Sequence, residues 1–139
     1  MPMRLLVVLL LACQPTFAGA AAPQATRLDG AWRLASGEFV NPEGEVVDYA
    51  SLKLTGTKVL GDGHFAFTTI SDGSFWAGGS GTYADDGATY SETPLMASYP
   101  LTEGGRYDFR YTLDGDTWTL ERWENGRRVE KETWQRVGR

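Results

Sequence analysis

The fold is decided by the last quarter of the chain, where three alternating segments and two tight turns occupy residues 105–137, GRYDFRYTLDGDTWTLERWENGRRVEKETWQRV. In the first segment, apolar side chains stand at every second position, and these are Tyr107, Phe109, Tyr111 and Leu113. This period of two is typical of a β-strand with one buried face. The breaks at Asp114-Gly115 and Asn125-Gly126 supply the positive φ angles of hairpin turns. We therefore predict an antiparallel meander at the end of the chain.

The same pattern extends back through the chain. Eight strands are predicted, at Gly30–Phe39, Tyr49–Leu60, His64–Ser71, Ser74–Ala84, Ala88–Ser98, Gly105–Leu113, Asp116–Glu124 and Arg127–Val137. Short strands with regular turn signals are typical of an all-β antiparallel sandwich or barrel. The longest irregular stretch, Val40–Asp48, could hold a turn of helix. Gly78-Gly79-Ser80-Gly81 lies within the fourth strand, where glycine indicates a bend or a bulge.

The N-terminus predicts export. A basic start at Arg4, an apolar run from Leu5 to Ala12 and the small triplet Ala18-Gly19-Ala20 are typical of a secretory signal peptide over residues 1–20. A short tail, 21–27, would then lead into one domain over residues 28–139. The apolar run is too short to span a bilayer, so no transmembrane segment is predicted. Alternatively, Leu10-Leu11-Ala12-Cys13 resembles the sequence before a lipid-modified cysteine, which would make the chain a membrane-anchored lipoprotein.

Charge and cysteine content exclude several function classes. The formal net charge is −5, and loss of Arg4 with the signal peptide makes it more negative. An acidic chain disfavours nucleic acid and anionic membrane surfaces as partners. The one cysteine lies in the predicted signal peptide, so the mature domain would contain no disulfide and no reactive thiol. A monomer is the default expectation.

The last predicted strand carries charge on the face that should be buried. One of its faces holds Glu130, Glu132, Trp134 and Arg136. Placing Trp134 inside brings two carboxylates and a guanidinium with it. Buried charges are tolerated when they are paired and hydrogen-bonded. Either these groups pair with one another, or they face a wet or ligand-filled cavity.

Two motifs at the ends of the domain carry a family resemblance. Gly30-Ala31-Trp32 resembles the G-x-W opening strand of lipocalins and fatty-acid-binding proteins, and Glu132–Val137 resembles their last strand. The stretches between them, including 78–83, 90–92 and 115–118, resemble a bacterial group of lipocalin-like domains in the calycin superfamily. The resemblance implies an eight-stranded up-and-down β-barrel. It also implies that Arg136 packs over Trp32 and closes one barrel end, and that the interior can hold one small ligand.

Ten residues are predicted to face the interior and bind a ligand there: His64, Trp76, Tyr90, Glu92, Tyr107, Phe109, Trp118, Glu132, Trp134 and Arg136. The aromatic residues either line an apolar pocket or simply fill a small barrel. His64 is either a polar anchor, or a general base beside Glu92 or Glu132, or a hydrogen-bonded histidine at a strand start. Arg136 has two possible roles. It either binds a ligand carboxylate, or it neutralises Glu132 and packs over Trp32.

No catalytic residues, cofactor or metal site are predicted. The aspartates lie in turns without the spacing of a calcium loop, and no zinc, phosphate-loop or nucleophile-elbow motif occurs. The predicted function is that of an exported, non-enzymatic binding protein for a small, partly hydrophobic or amphipathic molecule. One alternative is an envelope interaction or inhibitor module with a filled core, acting through the loops at Val40–Asp48 and Leu95–Glu103, with Pro94, Met96, Tyr99 and Pro100 exposed. Another is an isomerase or cyclase that uses His64.

Overall fold

The computed structural model describes residues 27–138. The predicted signal peptide, most of the predicted tail and Cys13 lie outside these residues. The described part is almost entirely strand. Its elements are β1 (Gly30–Val40), β2 (Val46–Asp48), a 3-10 helix (Tyr49–Leu52), β3 (Leu54–Gly61), β4 (His64–Ser71), β5 (Ser74–Asp85), β6 (Thr89–Ala97), β7 (Tyr107–Asp114), β8 (Thr117–Glu124) and β9 (Arg127–Arg136).

Eight of these strands form a closed antiparallel barrel. From β3 to β9 each strand pairs with its neighbour in the chain, and β1 pairs with both β3 and β9. The remaining strand, β2, lies outside the barrel order and is a three-residue segment that pairs with the end of β1 at Glu38–Val40. The predicted all-β, eight-stranded, up-and-down barrel is therefore confirmed. Closure removes the free edges that an open sheet would expose.

Tight turns set the up-and-down order. Asp62-Gly63, Asp72-Gly73 and Asn125-Gly126 all have positive φ at both positions, from 48° to 83°. Such turns match the right-handed twist of the strands on either side of them. Each connection is too short to cross the barrel, so successive strands must lie side by side.

The second predicted strand begins too early. Tyr49–Leu52 forms a 3-10 helix instead, so the helical turn considered for Val40–Asp48 occurs immediately after that stretch. The Asp48 side chain accepts a hydrogen bond from the backbone N–H of Ala50 at 2.7 Å and so caps the helix. Lys53 then adopts a φ of 48°, and β3 starts at Leu54. The cap and the left-handed residue interrupt what the apolar pattern alone presents as one strand.

The pairing between β6 and β7 is short. These strands pair only where Thr89–Glu92 meets Tyr107–Arg110, while β6 continues to Ala97 beside β5. The strand predicted to begin at Gly105 therefore begins at Tyr107. The register of β5 against β6 shifts between Ser80 and Gly81, which confirms the predicted irregularity in the glycine-rich stretch. Within residues 27–138, no helix is long and apolar enough to cross a membrane.

Candidate functional site

One end of the barrel is closed by a cation stacked on an indole. The guanidinium carbon of Arg136 lies 4.1 Å from the ring centroid of Trp32, and the two residues are directly paired in the β1–β9 ladder. Arg136 donates to the carbonyls of Asp29 and Arg27, both at 2.7 Å. The Trp32 Nε1 donates to the carbonyl of Leu28 at 2.8 Å. The contact implied by the family resemblance is formed.

Gly30 is part of this closure for a backbone reason. Its φ is +129°, a conformation that side-chain-bearing residues rarely adopt. A Cβ atom there would also lie 3.0 Å from Nη1 of Arg136. Glycine therefore lets β1 begin directly beneath the guanidinium. We refer to Gly30, Trp32, Trp118 and Arg136 as the closed end; the rings of Trp32 and Trp118 are 5.1 Å apart.

Above the closed end the barrel contains a cavity of about 340 Å³. The walls are mainly aromatic and aliphatic, with five ionisable acidic or basic side chains among them. The lining residues are Phe39, Val40, Tyr49, Leu54, Lys58, Phe67, Thr69, Trp76, Ala77, Glu92, Tyr99, Tyr107, Phe109, Arg122, Glu130, Glu132 and Trp134. Trp76 is half exposed and marks the rim. An apolar cavity with a few convergent polar groups is the usual form of a small-molecule site.

A buried ion pair forms the floor of the cavity. The Lys58 Nζ lies 2.6 Å from Oε1 of Glu92, and the two side chains are 4% and 6% exposed. The Tyr90 hydroxyl donates to the same oxygen at 2.8 Å. The ammonium also lies 5.1 Å from the ring centroid of Trp134. Burial lowers the pKa of Lys58, but Glu92 and the cavity carboxylates outweigh burial, so the pKa is raised and the lysine is charged.

Glu132 is held by neutral donors. The Tyr49 hydroxyl donates to its Oε1 at 3.0 Å and the Trp134 Nε1 to its Oε2 at 2.8 Å. Burial, and secondarily the charge of Glu132, raises the pKa of the Tyr49 hydroxyl, which therefore stays protonated. Gly37 makes this arrangement feasible, because a Cβ atom there would lie 2.4 Å from the Tyr49 ring.

Glu130 lies beside Glu132 on the same face of β9. Its Oε2 accepts from Nε of Arg122 at 2.9 Å, and Arg122 also contacts Glu124 outside the cavity. Burial and then the like charge of Glu132 raise the pKa of Glu130 to about 7, although Arg122 and Lys58 act in the opposite direction. The Arg122 side chain remains charged, since burial is outweighed by its carboxylate partners and its pKa is raised. Glu130 is therefore the cavity group that titrates near neutral pH.

The structure distributes the ten predicted site residues over four places: the cavity wall, the core beneath it, the closed end and, for His64, the exposed start of β4. Those that line the cavity are Trp76, Glu92, Tyr107, Phe109, Glu132 and Trp134. Tyr90 and Trp118 are fully buried beneath it, with their rings edge to face at 4.9 Å. Arg136 belongs to the closed end and does not line the cavity. It therefore neither reaches a ligand carboxylate there nor neutralises Glu132, whose partners are Tyr49 and Trp134.

The expectation that His64 faces the interior is wrong. Its side chain is exposed at the start of β4, and its Nδ1 lies 2.8 Å from the carbonyl oxygen of Asp62 in the preceding turn. The neighbouring Phe65 is buried, and the alternation of a strand therefore directs His64 outward. The strand-start interpretation of His64 is the one that agrees with the structure.

Sequence reasoning missed Lys58, Tyr49 and Arg122. Lys58 did carry a signal, because it shares the parity of Leu54 and Leu60 in β3 and so belongs to the buried face. Arg122 similarly shares the parity of Trp118 and Leu120 in β8. No sequence signal identified Tyr49, since the inward direction of its side chain depends on the 3-10 helix and on the space above Gly37.

The rim loops differ from expectation at one proline and one tyrosine. Pro94 is buried and Tyr99 is half-buried, with its ring stacked on Phe67 at 6.4 Å, whereas both were expected to be exposed. Met96 and Pro100 are exposed as expected. Tyr99 therefore belongs to the cavity wall rather than to an outer surface.

Within the described part of the chain, no group of three metal-ligating side chains could hold an ion.

No protein-family model matches the chain, and no curated protein matches it. Among solved structures, the chain is similar to a redesigned β-barrel, with 18% identity and a TM-score of 0.43 over 80% of this chain and 92% of that one. It is also similar to Rv2717c from M. tuberculosis, with 15% identity and a TM-score of 0.42 over 80% and 93%. A third is a de novo designed fluorescence-activating β-barrel, with 13% identity and a TM-score of 0.40 over 78% and 93%. The likeness is one of fold.

Proposed function

We propose that this protein is an exported, non-enzymatic binding protein of the lipocalin-like kind, which holds a small, partly apolar molecule inside its barrel. The observation that carries the proposal is the cavity of about 340 Å³ with aromatic walls and a few polar side chains. A volume of this size falls within the range of small-molecule sites, toward its lower end. The ligand would be of the size of one substituted aromatic ring or a short alkyl chain.

Burial of apolar surface would supply the affinity. At ~25 cal/mol per Å², a ligand that buries ~300 Å² gains several kcal/mol before the costs of association and ordering are subtracted. Those costs are moderated here because the walls are preorganised. Glu132 is fixed by Tyr49 and Trp134, and Lys58 by Glu92, so few side chains need to be ordered when a ligand enters.

Two further features support the lipocalin-like assignment and export. The G-x-W opening at Gly30–Trp32 and the late Arg136 meet as such a barrel would require. The basic, apolar and small-residue segments at the N-terminus favour cleavage after Ala20, with lipidation of Cys13 as the alternative. N-terminal sequencing and mass measurement of the protein from its native host would distinguish the two: a free N-terminus near residue 21 supports export as proposed.

A cavity-filling substitution tests the binding site. Ala77 lines the cavity, so Ala77→Phe should fill it, whereas Ala84→Phe on the exposed part of the same strand serves as the matched control. Native mass spectrometry and tryptophan fluorescence would be used to titrate the purified protein with 4-phenylbutan-1-ol, 4-phenylbutanoate and 4-phenylbutylamine. We expect at least one of these to bind the wild type and Ala84→Phe, and not to bind Ala77→Phe.

The contrary results are well defined. If none of the three compounds binds the wild type, or if Ala77→Phe binds as well as the control while its thermal unfolding remains cooperative, the cavity is not a ligand site.

Of the alternative functions, an interaction module with a filled core disagrees with the cavity volume. The isomerase hypothesis loses its proposed base, because His64 is exposed and bonded to a turn carbonyl. Exposed apolar residues on β5 and β6, such as Phe75 and Met96, leave a partner-binding role in addition to ligand binding open to test.

A further inference from the structure

We infer that the cavity selects hydrophobic amines, binding the protonated ammonium group beside Glu132 and Glu130 and the apolar body against the aromatic walls. This inference rests on the proposed function and names its ligand class. It narrows the small, partly apolar ligand of that proposal to one chemical class. The charge balance of the cavity, the partners of Glu132 and the rings around it all favour this ligand class.

The cavity contains more negative than positive groups. Its charged lining residues are Glu92, Glu130 and Glu132 against Lys58 and Arg122. Lys58 forms an ion pair with Glu92 at 2.6 Å, and Arg122 forms ion pairs with both Glu130 and Glu124. Both cations are thus already engaged by carboxylates that the protein supplies. A ligand carboxylate would find no uncommitted cation and would add a fourth negative charge, which is costly in a site of low polarity.

Among the described cavity carboxylates, Glu132 is the one without an ion pair of its own: the charge of Lys58 acts on it from a distance, but the Lys58 ammonium is bonded to Glu92. Among residues 27–138 it forms no ion pair, and its two recorded partners, the Tyr49 hydroxyl and the Trp134 indole N–H, are neutral. Each carboxylate oxygen has two lone pairs, so each can accept one further hydrogen bond. An ammonium group offers three donors and one positive charge. A protonated amine therefore completes both the charge and the hydrogen-bonding capacity of Glu132.

The surrounding rings suit a cation with an apolar body. Tyr49, Tyr107 and Trp134 line the cavity beside the two β9 carboxylates. The faces of such rings attract cations, as the chain itself shows where Lys58 lies 5.1 Å from the Trp134 centroid. Phe39, Phe67 and Trp76 supply further apolar wall, and Phe39 is paired directly with Glu130 in the β1–β9 ladder. The arrangement provides a charged head site with apolar contacts beside it.

Amine binding should depend on pH through Glu130. The groups facing Glu130 are Glu132 on β9, Arg122 on β8, Lys58 on β3 and Tyr49 on the 3-10 helix. Its pKa is raised to about 7 by burial and by Glu132, so it is protonated in mildly acid solution. Protonation removes one negative charge from the head site. An alkyl amine keeps its proton through pH 8, because its pKa is near that of lysine. Affinity for the amine should therefore rise with pH.

The ligand series distinguishes this inference from the proposed function. Wild-type protein would be titrated by isothermal calorimetry with 4-phenylbutylamine, 4-phenylbutan-1-ol and 4-phenylbutanoate, which share one apolar body. We expect the amine to bind about tenfold or more tightly than the alcohol and the acid to bind most weakly. Between pH 8 and pH 6 the amine affinity should fall about tenfold, while the alcohol affinity should change less than about twofold.

Glu132→Gln provides the residue-level test. The amide keeps the shape of the side chain and removes its charge, so amine affinity should fall about tenfold and alcohol affinity should stay within about twofold. Glu124→Gln is the matched control, since it removes an exposed carboxylate that touches Arg122 outside the cavity. Amine affinity in this control should stay within about twofold of wild type.

The possible outcomes distinguish a failure of the amine inference from a failure of the proposed function. Equal or tighter binding of the alcohol or the acid in wild type overturns the amine inference and leaves the proposed function intact. The absence of binding by all three compounds overturns the proposed function as well. A wild-type preference for the amine that does not change in Glu132→Gln, or that weakens equally in Glu124→Gln, contradicts the assignment of the head site. Because the ligand series needs no variant, a failure of Glu132→Gln to fold leaves the selectivity test in place.

Discussion

The two ends of the barrel use the same pair of groups, a buried cation over an indole, to opposite effect. At the closed end Arg136 lies 4.1 Å from the Trp32 centroid, backbone carbonyls accept its hydrogen bonds, and the Asp116 carboxylate lies 3.2 Å from its Nε. In the cavity Lys58 lies 5.1 Å from the Trp134 centroid, and a carboxylate accepts from it. The closed end thus sets one cation against backbone carbonyls and one half-exposed carboxylate. The cavity instead brings three carboxylates together with two cations, so its charge balance can respond to pH and to a ligand.

Removing the indole at the closed end should have the largest effect. Trp32 is fully buried and contacts Trp118 and Arg136, so Trp32→Ala should destabilise the fold by about 4 kcal/mol. The measurement is the free energy of unfolding in urea. Trp123→Ala, at a site that is 40% exposed, is the control and should cost about 1 kcal/mol or less. Equal losses in the two variants would contradict the assignment of Trp32 to the closure.

Breaking the ion pair in the cavity floor should come next. Lys58→Met leaves Glu92 charged and buried, and we expect a loss of about 3 kcal/mol in unfolding free energy. The double variant Lys58→Met with Glu92→Leu removes both charges, and it should recover most of that loss. Thermal and urea unfolding of both variants would check this. A double variant as unstable as the single one would show that the cost arises from packing rather than from an unpaired charge.

Arg136→Lys sharpens the comparison at the closed end. The lysine keeps the charge but loses the planar fork that reaches the carbonyls of Asp29 and Arg27, so we expect a loss of about 1–2 kcal/mol. Arg127→Lys is the control, because Arg127 is exposed and donates to the carbonyl of Gly44. Its cost should be below about 0.5 kcal/mol. A loss at Arg136 no larger than in this control would mean that charge alone holds the end.

The smallest expected effect is a pH dependence specific to the cavity. The pKa of Glu130 is about 7 in the folded protein, against an ordinary value of 4.5. Between those values the folded state holds a proton that the unfolded state has lost. The contribution of Glu130 to stability is therefore fully present below pH 4.5 and is lost as pH rises through 7. We expect the decline to be on the order of 1 kcal/mol, since the side chain is partly exposed.

Glu130→Gln should flatten that decline when unfolding midpoints in urea are compared from pH 5 to pH 8. Glu124→Gln should retain it, because Glu124 is an exposed carboxylate outside the cavity. A wild-type stability that rises with pH over this window would contradict a raised pKa at Glu130. The same series measured with Arg136→Lys should show the wild-type slope, because Arg136 does not line the cavity that contains Glu130.

How far the sequence could predict the site depended on the kind of information each residue carries. The face of β9 that combines Glu130, Glu132 and Trp134 could be predicted from strand parity, because alternation fixes the side on which each residue lies. The partners of these residues could not be predicted, since Tyr49 and Lys58 come from elements more than 70 positions away in the chain. His64 shows the converse, as a chemically suggestive residue whose parity is opposite to that of the buried Phe65, so that its side chain points to solvent.

The sequence by itself determined most of the strands and the hairpin turns, because these follow from period-two alternation and from Asp-Gly and Asn-Gly conformations, and the resemblance of two terminal motifs implied the closure of the barrel. It did not predict β2 or the 3-10 helix at Tyr49–Leu52. Only the tertiary structure decided where the interior is filled and where it is hollow. That outcome depends on how side chains from distant strands meet: Trp32, Trp118 and Arg136 fill one end, while the 3-10 helix places Tyr49 over Gly37 and leaves Glu132 with neutral partners. Packing volume and charge balance are properties of these long-range contacts, and no local pattern encodes them.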